Sequence, residues 1–226
     1  MLDVYSVEPV ARKLPLVIDA LSSNDRCLYA GTKNGFLISY SPKANNETAG
    51  ISTQGYSMHM QKSFSKKSVV QLEVIPQLNL LLCLSDNVIQ IHDYGQVNFP
   101  VLSIMAKSKG ATEFRVSLLP QDEHSGQAET RLILAVAIRR KCGFYIWDKS
   151  EFVEYSPLVN ISFNDNIRRM VFYDNFLVFA VRDEYFYANI IGIARRLHSV
   201  RQFLWKACNK RRLRKYPVVR NTDARR

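Results

Sequence analysis

Cys27 to Tyr40 reads Cys-Leu-Tyr-Ala-Gly-Thr-Lys-Asn-Gly-Phe-Leu-Ile-Ser-Tyr. Two apolar runs flank Asn34-Gly35, a pair that tolerates positive φ and suits a tight type I′ turn. The stretch predicts a β-hairpin. A lone hairpin is marginal in water, but this pattern recurs. Leu80 to Asp93 repeats it around Asp86-Asn87. Leu132 to Asp148 repeats it around Arg139 to Gly143. Phe176 to Tyr187 repeats it around Arg182-Asp183. The units begin at residues 27, 80, 132 and 176, so the spacings are 53, 52 and 44.

A shorter apolar segment precedes each hairpin: 16–21, 69–75, 114–119 and 167–172. These segments alternate partly, as half-buried strands do. Several strands repeating every roughly 40–50 residues are the mark of a β-propeller blade. Four blades can be counted, with about three visible strands each and a fourth expected in the connectors. A generic antiparallel sandwich is the alternative, but it need not space its hairpins so evenly. The predicted fold is therefore all-β, a partial propeller of about four blades over residues 1–190. Residues 41–63 are polar and read as a long surface loop, and Gln121 to Thr130 as a second insertion.

After residue 190 the grammar changes. Ile193, Leu197, Val200, Leu204 and Ala207 recur at helical spacing, and a basic run follows from Lys210 to Lys215. Residues 191–226 are read as a basic amphipathic helix or a disordered tail. The chain carries a net charge of +11. The tail holds 12 of the 31 Lys and Arg and one acid, Asp223, so it accounts for the whole excess. Residues 1–190 hold 19 basic and 19 acidic residues and carry no overall bias towards nucleic acid. For the tail three readings stay open. The abrupt change of composition reads as an altered splice end or a shifted frame. A membrane surface or an acidic partner is the second reading, and nucleic acid the third.

No catalytic constellation emerges. Gly31-Thr-Lys-Asn-Gly lacks the spacing of a phosphate loop. His59, His92, His124 and His198 are scattered, no metal-ligand spacing is present, and no G-x-S-x-G elbow occurs. His92-Asp93 reads as strand-end packing. Cys27, Cys83, Cys142 and Cys208 form no C-x-x-C pair, which favours free thiols in a reducing compartment. The N-terminus has no apolar signal-peptide core. The expectation is a cytoplasmic non-enzyme without cofactor or metal. Candidate partner-binding residues lie in the basic connectors: Lys66 and Lys67 with Lys62, Lys107 and Lys109, and Arg139 and Arg140 with Lys141. A solvated rim is the plainer reading of them; propeller loops that gather on one face would make them a partner surface.

Six stretches in order carry a resemblance: Leu14 to Asp19, Ala30 to Gly35, Phe64 to Lys67, Val88 to Asp93, Ala106 to Ala111, and Phe144 to Trp147 with Glu151-Phe152. Together they resemble the citron-homology (CNH) domain that opens the vacuolar protein sorting 39 family, over roughly residues 4–188. The resemblance implies a CNH-type propeller of seven blades and, further along such proteins, an α-solenoid. It implies a subunit of the HOPS tethering complex, acting where late endosomes and autophagosomes meet lysosomes or vacuoles. A late-endosomal Rab-type GTPase and other HOPS subunits are the implied partners, and peripheral attachment to those membranes the implied location. It supplies no catalytic residue. The pattern is lost after Tyr187. A CORVET-type, TGF-β-receptor-associated subunit and a citron-type signalling adaptor share the domain and stand as alternatives.

Overall fold

The computed structural model describes residues 14–24, 27–42, 55–119, 131–155, 160–190 and 198–199. They form four antiparallel sheets, one per sequence repeat. Sheet one holds β1 (Ile18–Asn24), β2 (Cys27–Thr32), β3 (Phe36–Pro42) and β4 (Tyr56–Ser63). Sheet two holds β5 (Val69–Ile75), β6 (Leu80–Ser85), β7 (Val88–Asp93) and β8 (Val101–Met105). Sheet three holds β9 (Glu113–Leu119), β10 (Arg131–Ile138), β11 (Lys141–Asp148) and β12 (Glu151–Glu154), with β13 (Ile161–Ser162) also on β11. Sheet four holds β14 (Ile167–Tyr173), β15 (Phe176–Val181), β16 (Glu184–Asn189) and β17 (His198–Ser199). In each sheet the strands lie in chain order, and the first strands meet across sheets: β1 against β5, β5 against β9, β9 against β14. This is the blade arrangement of a partial propeller.

The fourth strand of each blade lies in segments that read as connectors. β4 falls inside 41–63, read as a surface loop; the part of that stretch at 43–54 is outside the described residues. An outer strand faces solvent on much of its surface, so β4 shows little of the apolar alternation that marks its neighbours. The insertion at Gln121 to Thr130 also lies outside the described residues. So does nearly all of 191–226, read as helix or disorder; its described pair, His198–Ser199, is a strand on β16.

The turns differ in kind. Asp86 and Asn87 both have positive φ, 53° and 58°, as a type I′ turn requires. Asn34 does not. There the Gly35 N–H donates to the Thr32 carbonyl at 3.1 Å, and only Gly35 has positive φ, 83°. That is a type I turn closed by a glycine bulge, not the expected type I′. A Cβ on Gly35 would lie 2.0 Å from the Ser65 carbonyl oxygen, so the next connector holds this turn closed. In the third hairpin the turn is Arg139-Arg140 alone, and Gly143 lies within β11 rather than in a loop.

Three apolar layers fill the junctions. Ala20, Leu37, Leu72 and Leu81 lie between sheets one and two. Leu82, Ile91, Phe114 and Leu134 lie between sheets two and three. Phe144, Met170, Leu177 and Phe179 lie between sheets three and four. Burial of such side chains stabilises each junction by about 1.5–3 kcal/mol apiece.

In sheets two to four the inner strand has one edge without a strand partner, and side chains of the preceding blade bond backbone groups on it. The Ser22 Oγ accepts from the Val74 N–H at 3.2 Å. The Gln71 side chain spans Phe114: its Nε2 donates to the Phe114 carbonyl at 2.6 Å, and its Oε1 accepts from the Phe114 N–H at 3.1 Å. Glu113 accepts from the Met170 N–H at 2.9 Å, while Arg115 Nε donates to the Met170 carbonyl at 2.7 Å. Glu113 and Arg115 are themselves paired at 2.6 Å. Burial raises the Glu113 carboxyl above its ordinary range, with Arg115 and Arg169 opposing.

His92 is buried in the first junction. Its ring stacks on Phe64 with centroids 4.1 Å apart, and Nδ1 lies 3.0 Å from the Phe99 carbonyl. Only a protonated Nδ1 can donate to that carbonyl, and Nε2 is buried without a partner, which disfavours a second proton there and so the charged ring. Burial lowers the His92 pKa, the Phe99 carbonyl opposes this, and Lys62 adds to it. Lys62 itself donates to the Asn98 carbonyl, which ties β4 to the loop after β7.

Two outcomes follow from these junctions. Gln71→Leu keeps volume but strands the Phe114 N–H and carbonyl, so urea denaturation is expected to show a loss of about 1–3 kcal/mol; an unchanged midpoint contradicts the bridge. In the unfolded chain the His92 pKa returns to about 6.5, so its stabilising share is full above that value and is lost as pH falls through the lower folded pKa. The stability advantage of wild type over His92→Phe is expected to shrink when thermal midpoints are compared at about pH 7.5 and about pH 5.5; an advantage independent of pH contradicts the buried neutral ring.

Candidate functional site

In an up-and-down sheet the turn between the second and third strands lies at the same end as the connector leaving the fourth. The backbone hydrogen bonds obey this. The Phe64 and Ser65 N–H groups donate to the Gly35 carbonyl at 2.9 and 3.1 Å. Gly110 and Ala111 donate to the Asn87 carbonyl at 2.9 and 3.1 Å. Phe163 donates to the Arg140 carbonyl and Ile167 to the Arg139 carbonyl, both at 2.8 Å. The turns at 33–35, 86–87, 139–140 and 182–183 therefore share one face with the connectors at 64–68 and 106–112.

That face collects all six basic residues singled out in the sequence. Lys66 and Lys67 lie in the connector from β4 to β5, Lys107 and Lys109 in the connector from β8 to β9, and Arg139 and Arg140 in the β10–β11 turn; all are exposed. Lys107 is set apart by an ion pair with Glu154 at 3.1 Å, both partners exposed, which is worth little in water. Lys33, Lys141 and Arg168 join the face, also exposed. Acids on it are fewer: Asp19, which accepts from the Ser68 hydroxyl at 2.6 Å, Asp86, Glu154, Asp183 and Glu184, with Asp165 3.8 Å from Arg182. A body of zero net charge thus presents a basic face. Lys62, grouped with this cluster in the sequence, is held by the backbone of Asn98 and Phe99 instead.

At the third blade the face is indented. Ile138, Arg139, Arg140, Lys141 and Asn166 line an open groove of about 590 Å³. Arg139 holds φ at 54°, a left-handed conformation that costs a non-glycine residue about 1–2 kcal/mol. Its carbonyl accepts from Ile167, so the backbone that displays this side chain is tied to sheet four. Arg139, Arg140 and Lys141 give the groove a positive rim that suits anionic groups.

At the other end, a cleft of about 330 Å³ opens between sheet one and the loop 94–99. Tyr29, Tyr40, Met60, Tyr94 and Phe99 line it, with the Tyr29 and Tyr94 hydroxyls 2.9 Å apart. Cys83 and Cys142 are buried thiols, Cys83 pushed up to about 12 by burial, so neither is a reactive thiolate. Among the described residues no group of three or more His, Cys, Asp or Glu could hold a metal ion. No helix among them is long and apolar enough to cross a membrane. The bridging residues Gln71, Glu113 and Arg115 were not marked by any motif; the one signal was that polar residues interrupt the apolar first strands.

Comparison with known proteins agrees with the resemblance seen in the sequence. No family model matches the chain. The Vam6/Vps39-like protein of Mus musculus is 29% identical over 201 residues, covering 85% of this chain and 22% of that protein. The Drosophila melanogaster vacuolar protein sorting-associated protein 39 homolog is 26% identical over 202 residues, covering 88% of this chain and 22% of that protein. The chain thus spans about a fifth of the length of these relatives. Among solved structures, Sqt1 of Saccharomyces cerevisiae aligns with a TM-score of 0.52 at 12% identity, over 80% of this chain and 47% of that one. The computationally designed Ika4 protein aligns with a TM-score of 0.50 at 11% identity, over 82% of this chain and 99% of that one. At such identities the structural likeness speaks to the fold alone. By sequence, the chain is a relative of the vacuolar protein sorting 39 proteins along most of its own length.

Proposed function

We propose that this chain is a non-catalytic protein-interaction module of the HOPS type, which holds a Rab-type small GTPase on the face built by its turns and connectors. The observation that carries this reading is the convergence of Lys66, Lys67, Lys109, Arg139 and Arg140 on one face of a body whose net charge is zero. Charge placed this way speeds encounter with an acidic surface and orients it, without any requirement for chemistry at the site. The vacuolar sorting name of a relative favours a role in protein transport to vacuoles; lysosomes, late endosomes and autophagosomes are the membranes that the sequence resemblance implies. HOPS subunits are the further partners of that reading, and the basic stretch 191–226 supplies a contact for an anionic membrane surface. A cytoplasmic chain, peripheral on those membranes, fits it.

A CORVET-type subunit would use the same face with a different GTPase. Co-purification with HOPS-specific or CORVET-specific subunits separates the two. The test of the face itself is a charge reversal. The variant Lys66→Glu, Lys67→Glu, Arg139→Glu, Arg140→Glu changes exposed side chains only and is expected to fold. Capture of a GTP-loaded late-endosomal Rab by the wild-type chain is expected to weaken by about tenfold or more in the variant and to lose its salt dependence. Equal capture by a folded variant contradicts the assignment of the face, and absence of capture by the wild type contradicts the partner.

A further inference from the structure

The aromatic cleft, at the end opposite the basic face, holds a polar group that the two sheets around it leave unsatisfied. Ser22, Tyr29, Ser39 and Met60 stand in one cross-strand row of sheet one. The row faces sheet two. Tyr29 and Met60 pack into the first junction, and the Ser22 hydroxyl accepts from the Val74 N–H at 3.2 Å. β1 lies against β5 at the inner end of this junction, and the cleft opens further out, where the sheets part. Ser39 therefore shares a row with Ser22 but looks onto a gap instead of a strand. Its hydroxyl has no hydrogen-bond partner, although Ser39 is only 5% exposed. The Tyr40 hydroxyl is also unpartnered, but its ring packs on the other face of the sheet with Ala30 and Ile38.

Buried Tyr29, Ser39 and Phe99 floor the cleft, half-buried Met60 and Tyr94 wall it, and exposed Gly95, Gln96 and Val97 edge its mouth. None of its lining residues is Asp, Glu, Lys or Arg, so it offers no counter-charge to an ion. The phenol hydroxyls are already engaged: Tyr29 and Tyr94 bond each other at 2.9 Å, and Tyr94 accepts from Asn24 Nδ2 at 2.8 Å. Ser39 Oγ is the polar atom left over, and a buried hydroxyl without a bond is costly. The volume of about 330 Å³ sits at the lower limit of ligand pockets, about 300 Å³, and gives room for one ring-bearing group.

We propose that this cleft takes a tyrosine side chain delivered by an extended segment of a partner protein. An uncharged apolar body with one polar tip matches the lining: the ring meets Met60, Tyr94 and Phe99, and the phenol hydroxyl bonds Ser39 Oγ. Met60, the cross-strand neighbour of Ser39, is unbranched and adapts to an entering ring. The mouth favours a chain over a free aromatic molecule. Val97 is held out beside it at 79% exposure, an apolar rim for the residues that flank the ring. Aromatic anchors seated in pockets carry most of the energy of many protein interfaces. The contact uses no residue of the basic face, so both faces can be engaged at once.

NMR titration of the full 226-residue chain tests this. The probes are N-acetyl-tyrosinamide, N-acetyl-phenylalaninamide, and an acetylated, amidated peptide of one tyrosine flanked by glycines. N-acetyl-tyrosinamide is expected to shift the Met60 and Val97 methyl signals saturably. The phenylalanine probe is expected to bind about 2–10-fold more weakly, because it leaves Ser39 Oγ without a partner. Ser39→Ala is expected to bind the two equally. The tyrosine peptide is expected to bind about threefold or more tighter than the single residue, and Val97→Asp to remove that gain. Amide signals of sheets three and four check the fold of each variant. No saturable shift at Met60 with either tyrosine probe overturns the proposal. So does equal binding of tyrosine and phenylalanine by the wild type. So does a peptide that binds no tighter than the single residue, which would make the cleft a site for small aromatic molecules.

Discussion

A β-sheet that packs face to face with its neighbours still leaves one edge of its inner strand without a partner. An unpaired backbone group buried there costs on the order of 1–3 kcal/mol. Here the cost is met by side chains of the preceding blade: Ser22 for Val74, Gln71 for Phe114, and Glu113 with Arg115 for Met170. Each bridge sits over an apolar layer, so the register of one blade on the next is set by hydrogen bonds and the adhesion by buried area. This explains a polar residue in the middle of strands as apolar as Val69–Ile75. It also explains why Glu113 tolerates burial: its oxygens are occupied by the Met170 N–H and by Arg115.

Once the inner strands are in register, the rest of the surface is determined by topology. The second-to-third turns and the blade connectors fall at one end, and their basic residues gather there although they are spread from residue 33 to residue 168 in sequence. The opposite end carries a different chemistry, the aromatic cleft around Tyr29, Tyr94 and Phe99. Two faces of unlike character suit a scaffold that engages more than one surface.

The first three hairpins were legible because each has a largely buried second strand that reads as an unbroken apolar run up to a short polar turn. The Asp86-Asn87 hairpin, with both turn residues at positive φ, is the clearest case. The turn at Asn34-Gly35 was placed correctly but assigned the wrong type, because the distinction rests on whether Asn34 also takes positive φ. β4 was missed because an outer strand with polar residues on most positions carries no period-two signal. The six basic candidates were visible as loop residues, but their gathering on one face depends on strand direction, and the ion pair that occupies Lys107 links residues 47 apart. The bridges could not be read at all: a glutamine in a strand looks the same whether it meets water or the backbone of the next blade.

The account stands on inner-strand edges whose amides are bonded across blade junctions. Residue-resolved amide hydrogen exchange on the Phe114 and Met170 N–H groups tests this most directly. Both are expected to exchange as slowly as the central-strand amides of Leu82 and Leu134, which have ladder partners on either side. Exchange at the rate of an open strand edge at both positions would contradict it, and with it the stacking of the four sheets as blades.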